Sequence, residues 1–204
     1  MQDVSIVITC NEVQQPHLRR LLPQVLSLQY GGQYEVIVVD TFRDKDLLEW
    51  LEEMEVHYPH LSHTFCSTNC KGINLQRLAY LLGAKASSYG WLVFLTPEAV
   101  FSSNHWLNYL VSNLDTQLDI LVGTIDYKKT GGWKGVRKTV AQWWKHHAWP
   151  MLSRRKALYY VFPKLITDRR SYFLECERRL VQTEKPRVKI NKSAPIQLAS
   201  YADL

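Results

Sequence analysis

The chain has 204 residues, of which 46% are hydrophobic and 22% charged, so it can bury a core and is not globally disordered. Its charge is unevenly placed. Residues 1–127 hold 7 Lys and Arg against 14 Asp and Glu, whereas residues 128–204 hold 18 against 5. We therefore expect an α/β core over 1–127 and a basic segment over 128–204 that faces phosphates, lipid headgroups or nucleic acid.

The apolar runs are all short. None approaches the ~20 residues of a membrane-spanning helix, and the run at 4–9 is too short for the core of a signal peptide. Four cysteines occur, which we expect to be reduced thiols. The sequence thus predicts a cytoplasmic protein and leaves open a peripheral position at the inner face of a membrane.

Strand-like and helix-like patterns alternate along the chain. Short β-branched runs predict buried strands over 4–9, 34–40, 62–66, 91–95 and 119–123. Apolar residues at helical spacing predict amphipathic helices over 16–29, 44–58, 74–87 and 104–114. The segment 188–190 is predicted to return regular structure to this body. The order favours a mostly parallel sheet with helices on both faces.

Polar side chains follow three of these strands. Asn11 and Glu12 come after the first strand, Asp40 ends the second, and Glu98 follows the strand at 91–95. Ligands of open α/β sheets bind outside the carboxyl ends of the strands. We therefore expect these four side chains to converge on a ligand site.

Several segments together resemble family 2 glycosyltransferases, which have the GT-A fold. The similar segments are 5–12, 34–40, 71–72, the glycine at 83, 90–95 and 106–107. The resemblance covers roughly residues 4–125, and its specificity lies in the order and spacing of the pieces. It implies a GT-A-like α/β fold whose donor is a nucleotide-diphosphate sugar.

The resemblance also implies a nucleotide site. Its residues here would be Thr9, Asn11, Glu12, Asp40 and Gly72. Within this set, Asn11, Glu12 and Asp40 would hold the base and ribose of the donor, and Asp40 would contact the base. From the residues alone, Asp40 could instead cap the next helix.

A divalent cation, Mg²⁺ or Mn²⁺, is implied after the strand at 91–95. The family carries Asp-x-Asp there, whereas this chain reads Thr96-Pro97-Glu98. Hard cations prefer carboxylate oxygens. Glu98 keeps one at the position of the second acid, and Thr96 offers only a neutral hydroxyl. The two are the predicted metal ligands, for a cation that neutralises the leaving diphosphate.

The general base that would take the proton of the acceptor hydroxyl has three candidates, Asp126, Asp168 and Asp203. Residues 167–174 resemble the family segment after the acceptor loop, and 201–204 echo an acidic pair followed by Asp-Leu. Because the chain stops there, we expect a natural truncation or a fragment.

The basic segment is rich in aromatic residues between 131 and 165. Three interpretations remain: an interfacial helix on an anionic membrane, an acceptor-binding face, or a packed helical layer with a basic rim. Nucleic acid ranks below these, because no stacking or groove-reading motif accompanies the charge.

The sequence thus favours a glycosyltransferase that moves a sugar from a nucleotide-diphosphate donor to a glycan or lipid-linked acceptor in surface polysaccharide synthesis. The alternative is a catalytically impaired GT-A-like protein that serves as a membrane-associated scaffold or partner. A basic RNA- or phospholipid-binding protein is a third possibility.

Overall fold

The computed structural model describes residues 1–66, 75–112, 114, 120–125, 151–154 and 188–198. Within them lie eight strands: β1 (Val4–Cys10), β2 (Tyr34–Asp40), β3 (Leu61–Phe65), β4 (Trp91–Leu95), β5 (Ala99–Phe101), β6 (Ile120–Ile125), β7 (Met151–Arg154) and β8 (Val188–Leu198). The α-helices are α1 (Gln15–Leu26), α2 (Lys45–His57), α3 (Leu75–Ala86) and α4 (Trp106–Val111). No helix in this described part is long and apolar enough to cross a membrane.

The strands form one sheet in the order β3-β2-β1-β4-β7-β6-β8-β5. The first four run parallel, as predicted, and β8 runs parallel to β6. Two strands are antiparallel: β7 pairs with both β4 and β6, and β5 pairs with β8. The mostly parallel α/β fold with helices on both faces is therefore confirmed.

Two strands were missed by the sequence patterns. β5 has only three residues, and β7 lies inside the aromatic segment for which two interpretations assumed a helix. For Met151–Arg154 that assumption is wrong, because hydrogen-bonded neighbours on both sides impose an extended backbone. The regular structure expected at 188–190 is a strand, which extends to Leu198. The sheet thus includes strands from both sides of the predicted boundary at 127, which itself lies outside the described residues.

Helices α1, α2 and α4 cover one face of the sheet. Their leucines and Trp106 join alternate residues of β1, β2 and β4 in a single buried cluster. Asp44 begins α2, since its Oδ1 accepts a hydrogen bond from Leu47 N at 2.8 Å. Helix α1 ends at Leu26, three residues earlier than predicted, and Leu28 is still buried beyond it.

Helix α3 covers the opposite face at close range. An added Cβ on Gly83 would lie 2.3 Å from Val7 Cγ1 and 3.2 Å from Val39 Cγ2. One turn earlier, Tyr80 packs edge-on against Phe94 with ring centroids 5.1 Å apart. The missing side chain at 83 lets α3 approach β1 and β2 closely, and this approach brings its first turn to the carboxyl edge of the sheet.

Candidate functional site

The carboxyl ends of β1, β2 and β4 meet at one edge of the sheet. Cys10, the last residue of β1, pairs in register with Asp40, the last residue of β2. Burial raises the pKa of the Cys10 thiol above its ordinary value, and the Asp40 and Glu98 carboxylates raise it further. The thiol is therefore protonated at neutral pH. The carboxylates of Asp40 and Glu98 both act on Cys10, so both lie near the end of β1, as their positions after strands predicted.

The loop after β1 is folded by a capping box. Asn11 Oδ1 accepts a hydrogen bond from Gln14 N at 3.1 Å, and Gln14 Oε1 accepts one from Asn11 N at 3.3 Å. The box begins the short 3₁₀ helix Glu12–Gln14, in which Glu12 is exposed. This reciprocal bonding satisfies two backbone donors and holds Asn11 at the end of β1.

Gln14 also connects this loop to the loop after β4. Its Nε2 donates a hydrogen bond to Glu98 Oε1 at 2.8 Å, and Thr96 Oγ1 donates one to Glu98 Oε2. Only 7% of Gln14 is exposed. The two predicted metal ligands, Thr96 and Glu98, are therefore in contact with each other. The Gln14 amide, which the sequence patterns did not indicate, positions the Glu98 carboxylate.

Asp40 holds the turn that follows β2. Its Oδ1 accepts a hydrogen bond from Phe42 N and its Oδ2 one from Arg43 N, each at 2.9 Å. The alternative that Asp40 caps the next helix is wrong, because Asp44 makes that cap. Each carboxylate oxygen of Asp40 retains acceptor capacity for a ligand, because an ionised oxygen has two lone-pair positions.

The titration of Asp40 gives a testable pH dependence. Burial raises its pKa above the ordinary 3.8, although the hydrogen bonds from Phe42 and Arg43 oppose this rise. The folded protein therefore binds this proton more tightly than the unfolded chain. Its stabilising contribution is complete below pH 3.8 and declines as the pH rises through the raised pKa.

We expect the stability of the wild type, relative to Asp40→Asn, to fall as the pH rises from about 3.5 to about 7. Urea unfolding of both proteins at several pH values measures this difference, and common effects of other carboxylates cancel in it. A difference that stays constant or grows with pH would contradict the raised pKa.

A cavity of about 270 Å³ opens at the same edge. It is lined by Thr9, Cys10, Asn11, Gln14, Thr41, Leu75 and Gln76. The first turn of α3 thus forms one wall, and the ends of β1 and β2 form the other. Of the predicted nucleotide contacts, Thr9 and Asn11 line this cavity and Asp40 precedes Thr41.

Some predicted site residues lie outside the described part of the chain, namely Gly72, Asp126, Asp168 and Asp203. Sequence reasoning passed over Gln14, Thr41 and Gln76. Only Gln14 carried a recognisable pattern, since an Asn followed three residues later by a Gln is a capping-box spacing. Thr41 and Gln76 are ordinary polar residues whose placement depends on the packing of α3.

The fold agrees with the comparisons with known proteins. Residues 5–175 match the family described as glycosyl transferase family 2. The match spans most of the chain, which therefore belongs to this family of GT-A glycosyltransferases. No protein of curated function matches the chain by sequence.

Two of the solved structures that share the fold have similar TM-scores. One is the mannosyltransferase PcManGT from Pyrobaculum calidifontis in complex with GDP-Man and Mn²⁺, with a TM-score of 0.70 at 13% identity. The other is TarS 1–349 from S. aureus, with a TM-score of 0.69 at 13% identity. The matches cover 96% and 98% of this chain but only 56% and 61% of those two chains.

Proposed function

We propose that the chain is a glycosyltransferase domain that binds a nucleotide-diphosphate sugar at the carboxyl edge of β1, β2 and β4. The observation that supports this most strongly is the cavity bounded by Thr9, Asn11 and Thr41, with the carboxylates of Asp40 and Glu98 at the same edge. Asp40, Asn11 and Glu12 would bind the base and ribose. The diphosphate would extend toward Glu98.

The donor set for Mg²⁺ or Mn²⁺ is small. Glu98 supplies a carboxylate and Thr96 a hydroxyl in contact with it. No group of three or more His, Cys, Asp or Glu side chains that could hold a metal ion occurs among the described residues. One carboxylate together with substrate phosphates is sufficient for Mg²⁺ in many nucleotide sites. The set therefore fits a cation that is shared with the donor diphosphate, and such a cation would neutralise the leaving group.

The acceptor side of the proposal rests on the basic segment 128–204, most of which lies outside the described residues. We propose that it holds a glycan or lipid-linked acceptor of surface polysaccharide synthesis, at the cytoplasmic face of an anionic membrane. Its 18 basic residues against 5 acidic ones support binding to an anionic surface. Asp126, Asp168 and Asp203 remain the candidates for the general base.

The experiment is thermal unfolding with UDP, GDP or dTDP, each with and without Mn²⁺. A ligand that binds only the folded state stabilises it by about 2.7 kcal/mol at 100 times its dissociation constant. We expect one nucleotide to raise the melting temperature, and Mn²⁺ to increase that rise without having an effect alone. No rise with any nucleotide at millimolar concentration would contradict donor binding.

A second candidate function is a catalytically impaired member of the family that acts as a scaffold or partner. It is favoured by the replacement of the family's Asp-x-Asp with Thr96-Pro97-Glu98, because Thr96 offers a cation only a neutral hydroxyl where the family has a carboxylate. The double change Thr96→Asp and Glu98→Asp distinguishes an active glycosyltransferase from a scaffold. An increase in transfer activity indicates a weakened enzyme, whereas nucleotide binding with no transfer by either protein favours the scaffold.

A further inference from the structure

Arg43 and Phe65 form a cation–aromatic pair at the carboxyl edge of the sheet, and neither residue is among those that line the cavity. The guanidinium carbon of Arg43 lies 4.1 Å from the centroid of the Phe65 ring. Phe65 ends β3, pairs in register with Asp40, and is 49% exposed. A half-exposed aromatic ring therefore lies on the strand next to the carboxylate that would bind the base.

The backbone of Arg43 is unusual. Its φ is 60°, in the left-handed region that long side chains rarely adopt. Arg43 N donates a hydrogen bond to Asp40 Oδ2, which stabilises this conformation. Asp40 therefore fixes the backbone position from which the Arg43 side chain extends. A glycine would satisfy the same turn without strain. Strain of this kind often accompanies a functional position.

The charge of Arg43 has no counterpart in the part of the chain that the structure describes. The ion pairs found there join Lys45 to Glu49 and His63 to Glu55, and neither includes Arg43. A guanidinium that stacks on an exposed ring without a carboxylate partner retains its N–H donors and a planar face for a ligand. Neither the strain nor the exposure is explained by packing of the core.

We propose that Phe65 and Arg43 form a stacking wall for the nucleobase of the donor, beside the Asp40 carboxylate. The inference rests on the proposed function, because it requires a nucleoside diphosphate as ligand. Aromatic rings and guanidinium planes both stack on bases, and this stacking tolerates any base because each has a π face. The pair contributes affinity for the base, and Asp40 contacts its polar edge.

The test is calorimetric titration of UDP and GDP, with Mn²⁺, into the wild type, Arg43→Gly and Phe65→Ala. For the nucleotide that binds the wild type, we expect each change to raise the dissociation constant by roughly tenfold, within the range for loss of one base–aromatic stack. Arg43→Gly should keep or raise the melting temperature, since glycine adopts this φ freely. A loss of affinity with this variant therefore does not come from unfolding.

Arg19→Gln is the matched control. Arg19 stacks on Trp50 at 4.7 Å, between α1 and α2, and neither residue lies on a strand beside Asp40. Its replacement removes a similar cation–aromatic pair, and the dissociation constant of the nucleotide should not change.

Inorganic pyrophosphate, measured by displacement of the nucleotide, separates base contacts from phosphate contacts. We expect its inhibition constant to be the same in all variants. An equal loss of pyrophosphate and nucleotide affinity would overturn the stacking wall, as would unchanged nucleotide affinity in both Arg43→Gly and Phe65→Ala. In either of those cases the proposed donor site still stands if the wild type binds a nucleotide. If the wild type binds no nucleotide, the proposed function itself is wrong.

Discussion

Glu98→Gln is expected to remove the effect of Mn²⁺ on nucleotide binding and to lower sugar transfer by about 100-fold or more, since a bound cation contributes several kcal/mol of transition-state stabilisation. Glutamine keeps the shape of the side chain and an acceptor for Gln14 Nε2, which lies 2.8 Å from Glu98 Oε1. The change thus removes the negative charge and leaves the local packing. Thermal unfolding with and without Mn²⁺, and a transfer assay with the donor found by thermal unfolding, measure the two effects.

Glu49→Gln is the control for this loss of charge. Glu49 is exposed on α2, which connects β2 to β3, and it pairs there with Lys45 at 3.4 Å. Its replacement should change neither the effect of Mn²⁺ nor transfer. If Glu98→Gln responds to Mn²⁺ as the wild type does, the cation is held by other groups and the assignment of Glu98 is wrong.

Gly83→Ala is expected to destabilise the protein by up to about 2 kcal/mol net, because overpacking a core costs about 1–3 kcal/mol. The new methyl group would lie 2.3 Å from Val7 Cγ1, which no rotation of a one-carbon side chain can relieve. Val7 is fully buried and β-branched, so it has little freedom to move. The helix gain from glycine to alanine, up to about 1 kcal/mol, is smaller than this cost. Urea unfolding measures the net change.

Two further variants test the cause. Gly90→Ala places its methyl group in open space, with no atom within 4 Å, and should leave stability nearly unchanged. Val7→Ala should cost less stability in the Gly83→Ala background than in the wild type, because there it also removes the atom in conflict. Additive effects of Val7→Ala and Gly83→Ala would show that the two positions do not interact, which contradicts the close approach of α3.

Much of the candidate site could be predicted, because its main polar residues come directly after strands or end them. The apolar runs at β1, β2 and β4 are dictated by burial on both faces, and parallel strands bring their carboxyl ends to one edge. Asn11, Asp40 and Glu98 could be placed there for that reason. Their partners could not, since the hydrogen bond between Gln14 and Glu98 joins residues 84 apart in the chain.

The patterns of the sequence by themselves determined the parallel half of the sheet, the helices on both faces and the strand ends at which the candidate site lies. Tertiary structure decided the rest. β7 is a strand because β4 and β6 bond to it from both sides, and Arg43 lies over Phe65 because Asp40 holds a left-handed turn. The physical reason is the same in each case: periodicity reports which faces of an element are buried, whereas hydrogen bonds between distant segments select the backbone and side-chain positions that make a site.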